Sequence, residues 1–446
     1  MAENWRQRMV ATGTRPPACL VGPEVVATRM PEGGFGPPGT GIALSVARGG
    51  DLTQMPVPST YRDGYAKARL VAPDLADNFM RHTMLGDPLA DAATESLAGF
   101  DRTDAHHLVR ACMDDDDEAM RAAPLALRDF FEAVGAAPAW VDERAMAPGR
   151  AAYHDNVYEF VLGLVAGSIV RGYATTICKP FAFSGRTLAS GRQRYRQNMR
   201  HILEIMLPGG LARTGEGWKL SVRTRLIHAQ IRRLLLQSGA WNIEEQGWPL
   251  SAAHVFMAAA LFSARNVDYA AALGARLSAR EVAGFIAVWR YTAWLLGVPD
   301  ALLFRDKPHA EEQLKVGLMC EPPPDVDSTM MAHNIINAGG VMFGLPDSAE
   351  RRKLARDAYR VSRALLGNDL ADTLDFPRAN TTLALALMRG RRRFTDALGR
   401  LAPEVTRRRR AEALRALLTI TDADDRELGI GYLGPTSARE EESEPW

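Results

Sequence analysis

Residues 223–237 read RTRLIHAQIRRLLLQ, which is the most informative segment of the chain. Its apolar residues recur at helical spacing, which predicts an α-helix. On that helix Arg225, His228 and Arg232 stand at i, i+3 and i+7 and share a face. Arginine keeps its proton, so a buried arginine needs an anionic partner. One interpretation is a solvated arginine stripe beside a core histidine. The other is a haem, which offers iron to the imidazole and propionates to the guanidiniums.

A second helix is predicted just before this one, from about residue 193 to residue 206. Arg194, Gln197, Asn198 and His201 fall at i, i+3, i+4 and i+7 and form a polar row on one face. The opposite face is apolar and can enter a core. The polar row either lines a wet pocket or faces solvent.

The rest of the chain predicts an all-α protein. Helical periodicity runs through most of the sequence from about residue 64, and strand signals are scarce. Ser278 before Glu281 predicts a capping box that opens a helix. We expect a single large helical bundle with a globin-like haem-binding core over residues 56–435. A Gly/Pro-rich irregular segment, 1–55, precedes it, and a disordered acidic tail, 436–446, follows it.

The composition narrows the classes of function. Lysine plus arginine number 54 and aspartate plus glutamate number 53, so the net charge of +1 gives no reason to expect a nucleic-acid partner. The four cysteines form no CxxC pair, which argues against a zinc site or a disulfide framework. No apolar run reaches the length of a membrane span, and the N-terminus lacks a secretory signal pattern. We therefore expect a cytoplasmic protein.

Four segments together resemble the latex-clearing-protein family, which includes rubber oxygenases and fungal ER-bound oxygenases. They occur in the family's order and span about half of the chain. The segments are GDPLADA at 86–92, RLIHAQIRR at 225–233, QGWPLSAAHVFMAAALFS at 246–263 and FIAVWRYTAWLLGVPDALL at 285–303.

The resemblance implies a haem b cofactor and assigns residues to its proximal side. His228 matches the histidine that binds the iron. Arg225 and Arg232 match the arginines on either side of it, which are expected at the haem propionates or the haem edge. No CxxCH motif is present, so the haem is expected to be held without a covalent bond.

On the distal side the resemblance is less complete. Arg194 matches a distal arginine. Gln197 and Asn198 stand where rubber-cleaving members have lysine and threonine, and we expect them to hydrogen-bond bound oxygen or water. Because glutamine is a poor iron ligand, the iron is expected to be open, water-bound or capped by another group. His201 is the obvious substitute for the lysine, although a structural role in the core is the plainer expectation.

The family's catalytic glutamate would fall near Cys178 by spacing, and the nearest acid upstream is Glu159. The rubber-cleavage mechanism therefore does not carry over whole. The expected function is oxidation of an apolar, unsaturated, isoprenoid-like small molecule by dioxygen. The alternatives are a hydroxylase or peroxygenase of a biosynthetic pathway, a haem sensor or carrier without turnover, and a helical scaffold without haem. The oligomeric state stays open.

Overall fold

The computed structural model describes residues 56–183, 188–342, 345, 347–381, 384–401 and 404. The predicted leader 1–55 and the predicted tail 436–446 lie outside these residues. Every regular element in the described part is a helix, and no strand occurs there. The prediction of an all-α fold is confirmed.

Twenty-one α-helices are present in the described part of the chain. In chain order they are α1 (Arg62–Val71), α2 (Pro73–Thr83), α3 (Pro88–Ser96), α4 (Arg102–Met113), α5 (Asp117–Ala122), α6 (Leu125–Gly135), α7 (Glu143–Asp155), α8 (Val157–Gly163), α9 (Val170–Tyr173), α10 (Lys179–Phe183), α11 (Leu188–Met206), α12 (Glu216–Gln237), α13 (Ile243–Gln246), α14 (Ala252–Ala260), α15 (Asn266–Leu273), α16 (Ala279–Leu295), α17 (Lys307–Cys320), α18 (Val326–Met342), α19 (Ser348–Leu366), α20 (Asn368–Thr373) and α21 (Ala384–Leu401). Short 3₁₀-helices span Ser59–Tyr61 and Thr176–Cys178.

The chain divides into two compact units. The described part of the smaller unit is mainly Pro88–Gly135, the helices α3 to α6, in which α3 packs against α6. The described part of the larger unit comprises Val57–Asp87 and the helices from α7 onward. All the residues singled out in the sequence as candidate cofactor ligands or partners belong to the larger unit.

Two glycines allow α7 and α16 to pack with their backbones in contact. A Cβ on Gly149 would collide with the backbone of Gly284 and Phe285, and a Cβ on Gly284 would lie 2.6 Å from the nitrogen of Gly149. Helix α16 begins with the predicted capping box, in which the Ser278 hydroxyl accepts from the amide of Glu281 and the Glu281 carboxylate accepts from the amide of Ser278. That prediction is confirmed.

Two of the longer helical stretches contain a π-helical turn. One turn, Leu164–Ile169, joins α8 to α9, and the other, Leu261–Arg265, joins α14 to α15. The two turns are bonded to each other, because the buried hydroxyl of Ser168 donates to the carbonyl of Leu261 at 2.8 Å. Such turns widen a helix by one residue and are frequent near functional sites.

No single helix in the described residues is long and apolar enough to cross a membrane. One pair of consecutive helical segments, Val157–Tyr173 and Thr176–Ala182, is long and apolar enough when the two are counted together, and the chain bends by 93° between them.

Candidate cofactor site

His228 lies on α12 in a setting that keeps it neutral and leaves it without a partner. Burial and, to a lesser extent, the charge of Arg232 lower the pKa of His228 to about 4, although the charge of Asp87 acts in the opposite direction. Its Nδ1 atom is buried and has no hydrogen-bond partner. The residue as a whole is half-buried. A buried polar atom without a partner costs about 1–3 kcal/mol, so this imidazole is suited to bind something.

A metal ion bound to His228 would need further ligands that the described residues do not supply. Among those residues no group of three or more His, Cys, Asp or Glu side chains could hold a metal ion. A haem brings four ligands of its own and needs a single neutral imidazole from the protein. The donor chemistry at His228 therefore fits a haem better than a bare metal ion.

One turn before His228, Arg225 is held by a buried ion pair. Its Nε donates to Oδ2 of Asp87 at 2.6 Å and its Nη2 donates to Oδ1 at 3.0 Å, which makes the pair bidentate. Both residues are less than a tenth exposed. Gly297, with φ +89°, packs directly on this pair, and a Cβ there would collide with Asp87 and lie 2.7 Å from Nε of Arg225. These two donor atoms therefore fix α12 to the segment that ends at Asp87, whereas the expected role of Arg225 at a propionate stays a prediction.

One turn after His228, Arg232 anchors the same helix to the next segment of the chain. Its side chain is 2% exposed, and its Nη1 donates to the carbonyl of Leu250 at 3.0 Å. Leu250 has φ +47°, a conformation that L-residues rarely adopt. In this turn the carbonyl of Leu250 points at the guanidinium of Arg232. The positive charge of Arg232 also favours the neutral form of His228. The expected role of Arg232 at a haem propionate stays a prediction.

The four segments quoted above for the family resemblance thus meet around α12. Asp87 comes from the first, Arg225 and Arg232 from the second, Leu250 from the third and Gly297 from the fourth. A backbone bond also joins the residue just before the first segment to the third segment, because the amide of Ala252 donates to the carbonyl of Leu85 at 2.8 Å.

Comparisons with known proteins show the family and the fold of this chain. A family model described as the catalytic domain of the ER-bound oxygenase mpaB/B' and rubber oxygenase family matches residues 150–417, more than half of the chain. The chain belongs to this family. A rubber oxygenase of Streptomyces sp. (strain K30) is 26% identical over 197 residues. The match covers 42% of this chain and 46% of that relative, so it spans less than half of the relative's length.

A solved structure of latex clearing protein in the closed state shares the fold of this chain. The superposition has a TM-score of 0.56 at 19% sequence identity and covers 79% of this chain and 92% of that one. The resemblance of the chain to the rubber oxygenase and latex-clearing-protein superfamily is confirmed.

In this rubber-oxygenase-family chain, α11 and α12 form a hairpin whose register is fixed by two contacts. The ring Nε2 of His201 lies 2.8 Å from the hydroxyl of Ser221, and a Cβ on Gly217 would lie 2.8 Å from the amide nitrogen of Ile205. Consecutive packed helices joined by a short connection run antiparallel. Continuing the same register by two turns brings the backbone of Arg194 level with His228.

The residues of the polar row on α11 differ in exposure to solvent. His201 is buried, and burial lowers its pKa to about 4. Because Ser221 donates its proton to the carbonyl of Gly217, His201 donates through Nε2 and keeps Nδ1 unprotonated. Gln197 is half-buried and Asn198 is exposed.

The side chain of Arg194 lies outside the described residues, although its backbone lies within α11. The distal roles expected of Arg194, Gln197 and Asn198 therefore stay predictions.

Cys178, the position that matches the family's catalytic glutamate, does not offer a proton acceptor. Cys178 is fully buried, its Sγ lies 3.6 Å from the hydroxyl of Ser328, and burial raises the pKa of the Cys178 thiol to about 12. Glu159 is also buried, and its carboxylate accepts a 2.9 Å charge-assisted bond from Arg392 on α21. Neither group is placed to accept a substrate proton at neutral pH.

A buried polar cluster that the sequence did not reveal surrounds His254. Its Nε2 lies 2.8 Å from the Thr176 hydroxyl, 3.0 Å from the Tyr61 hydroxyl and 3.3 Å from a Glu321 oxygen, and its Nδ1 lies 3.0 Å from the Ser251 hydroxyl. These residues are far apart in sequence. The only local signal was Ser251 three residues before His254, a spacing typical of an N-cap, and Ser251 is indeed the cap of α14.

Proposed function

We propose that this chain is a haem b-dependent oxygenase that oxidises an apolar, unsaturated small molecule with dioxygen in the cytoplasm. The observation that carries the proposal is the neutral imidazole of the half-buried His228, whose buried Nδ1 atom has no hydrogen-bond partner among the described residues. Support for the substrate class comes from the relative named a rubber oxygenase, because rubber is an apolar, unsaturated polymer.

When bound, a haem supplies the iron chemistry that activates dioxygen. The chain's own residues would hold it in a fixed place. His228 offers an imidazole that needs no deprotonation above about pH 4. Arg225 and Arg232 bond to Asp87 and Leu250 one turn on either side, which fixes the position of the helix that carries the imidazole. Preorganisation of this kind is what an axial ligand requires.

On the facing helix, the chain offers hydrogen-bond donors rather than an iron ligand. Gln197 carries an amide where rubber-cleaving relatives carry lysine, and an amide donates to bound oxygen or water without capping the iron. The Nε2 atom of His201 bonds to Ser221, which leaves its Nδ1 atom as the alternative iron ligand. We expect the iron to be open to small ligands, because the position of the relatives' capping lysine holds Gln197. Carbon monoxide binding by the reduced protein and imidazole binding by the oxidised protein test this expectation.

Hydroxylation is the second candidate reaction, and one observation favours it over cleavage. Cleavage in rubber-degrading relatives uses a carboxylate base, and here the matching position holds a protonated, buried thiol at Cys178. The nearest acid upstream in sequence, Glu159, is paired with Arg392. Because the position that matches the family's carboxylate base holds a thiol, insertion of oxygen into an intact skeleton is the simpler outcome.

The first experiment is an absorption spectrum of the purified, haem-loaded protein together with two matched variants. His228→Ala removes the proposed ligand, and His107→Ala removes an exposed histidine of the smaller unit. We expect His228→Ala to lose most of its haem, with near-native helix content by circular dichroism, and His107→Ala to keep it. Full haem occupancy in His228→Ala contradicts the ligand assignment.

The second experiment identifies the reaction. The haem-loaded protein is incubated with terpenoids and unsaturated lipids under ¹⁸O-labelled dioxygen, with and without a reductant or peroxide. Label in an aldehyde or ketone fragment indicates cleavage, and label in an intact, heavier product indicates hydroxylation. Haem binding without any labelled product would favour a sensor or carrier.

A further inference from the structure

A cavity of about 490 Å³ opens on the larger unit between α18, the first half of α19 and the segment after α20. Three of the side chains that line it are arginines of α19, namely Arg351, Arg352 and Arg356. The ion pairs that α19 makes within the described residues belong to Arg360 and Arg363 instead. The three cavity arginines have no ion-pair partner in that part of the chain, so their charges are available to a ligand.

The three arginines stand on both sides of the cavity floor. At 100° per residue, Ala355 and Tyr359 lie between Arg351 on one side and Arg352 and Arg356 on the other, and the whole set covers about 140° around α19. Ala355 and Tyr359 also line the cavity, and each is less than a tenth exposed. Because alanine is small, space remains between the arginine side chains above it.

The uncharged side chains Asn337 and Tyr359 of the lining already have their hydrogen bonds within the protein. The Nε2 atom of His333 donates to the carbonyl of Leu374 at 2.9 Å, which leaves its Nδ1 atom to accept from the Tyr359 hydroxyl at 2.6 Å. The amide of Asn337 donates to the same hydroxyl and to the carbonyl of His333, both at 2.8 Å. Among the described lining residues, the donors that remain for a ligand are therefore the three guanidiniums and the hydroxyl of Ser348.

We propose that this cavity binds a phosphate or diphosphate group. The planar guanidinium matches the oxygens of a phosphate with two parallel hydrogen bonds, and a group with two or more negative charges offsets three cations better than a single carboxylate does. The arginines would hold this group rather than the amides at the start of α19, because the carboxylate of Asp347 already accepts from the amides of Ala349 and Glu350.

The cavity has room for an organic ester of phosphate as well as for the free anion. Its volume falls within the range of about 300–1,000 Å³ that is typical of sites for small organic ligands. Ala355 and Pro377 add apolar surface to the lining. None of the lining residues belongs to the cofactor site around His228, so the proposal is independent of the haem assignment.

The test is isothermal titration calorimetry of the haem-free, full-length protein at neutral pH. The probes are inorganic pyrophosphate and adenosine diphosphate, and adenosine is the uncharged control. We expect both anions to bind with an affinity that falls as salt is raised, and adenosine not to bind. Tighter binding of adenosine diphosphate than of pyrophosphate would indicate an organic ester as the ligand, and equal binding would indicate that the anion alone is recognised.

Two kinds of variant separate binding in the cavity from attraction to surface charge. Arg351→Gln, Arg352→Gln and Arg356→Gln should each weaken pyrophosphate binding by about tenfold or more, because each removes a charge-assisted hydrogen bond. Ala355→Leu leaves the charge unchanged and fills the space between the arginines, so it should also abolish most of the binding. Thermal melts show whether each variant is folded.

Matched controls remove charges elsewhere on the larger unit. Arg276→Gln, Arg280→Gln and Arg305→Gln each remove an exposed arginine that does not line the cavity, and each should bind pyrophosphate like the wild type. Three outcomes overturn the proposal: neither anion binds to the wild type, the control variants lose as much affinity as the cavity variants, or a folded Ala355→Leu variant binds pyrophosphate as tightly as the wild type.

Discussion

Replacing Asp87 by Asn should destabilise the protein far more than an ordinary carboxylate replacement. The Asp87–Arg225 pair is bidentate and both partners are less than a tenth exposed, so the variant leaves a guanidinium buried beside a neutral amide. Removal of one partner from a buried pair costs about 3–5 kcal/mol, and the isosteric amide keeps the cost near the lower value. Native domains are stable by only about 5–15 kcal/mol, so the loss is a large fraction of the total.

The assay is urea unfolding of the haem-free protein, followed by circular dichroism. Asp357→Asn is the matched control, because Asp357 pairs with Arg360 on the surface of α19 at 3.2 Å with both side chains about half exposed. We expect a change of at most about 0.5 kcal/mol there. The double variant Asp87→Leu with Arg225→Met should recover much of the lost stability, since an apolar pair avoids the buried charge. If Asp87→Asn and Asp357→Asn behave alike, the reasoning about α12 is wrong.

Three further predictions follow from the same region. Gly297→Ala should lower the free energy of unfolding by about 2 kcal/mol or more, because φ is +89° and the new Cβ collides with Asp87; urea unfolding measures it. The stability of the haem-free protein should fall as the pH drops from about 6.5 toward 4, because His201 and His228 have a pKa lowered to about 4 by burial and the unfolded chain takes up protons first. For His201 the loss in free energy of unfolding is on the order of 3 kcal/mol between these two pH values. In the variant His201→Asn, the free energy of unfolding should therefore depend less steeply on pH. In the haem-loaded protein, His201→Ala should leave the absorption spectrum unchanged, and loss of a bis-nitrogen spectrum in that variant would instead identify His201 as a ligand.

Local features of this fold could be predicted from the sequence, and long-range partners could not. The common face of Arg225, His228 and Arg232 and the Ser278 capping box depend on helical periodicity over a few residues, so the sequence alone predicts them. The register of α11 against α12 depends instead on how Ser221 meets His201 across a turn, which periodicity leaves undetermined.

Side-chain exposure on α11 shows the same limit. Gln197 and Asn198 were placed on one polar face, yet successive helical residues point about 100° apart. In the fold Gln197 is half-buried and Asn198 is exposed. Only the packing of a second helix decides which member of a polar row reaches the interior.

The partner of Arg225 leads to a different account of the arginines beside His228. In the sequence, the two arginines around His228 allowed two interpretations, a solvated stripe beside a core histidine or partners of haem propionates. The fold gives Arg225 an anion from 138 residues earlier and gives Arg232 a carbonyl from a strained turn. Both contacts are made to other parts of the chain, so both arginines contribute to the position of α12. A chain that kept Arg225, His228 and Arg232 but lost Asp87 would keep the motif and lose its geometry. Asp87 is therefore a sharper marker of the position of α12 than the arginines themselves.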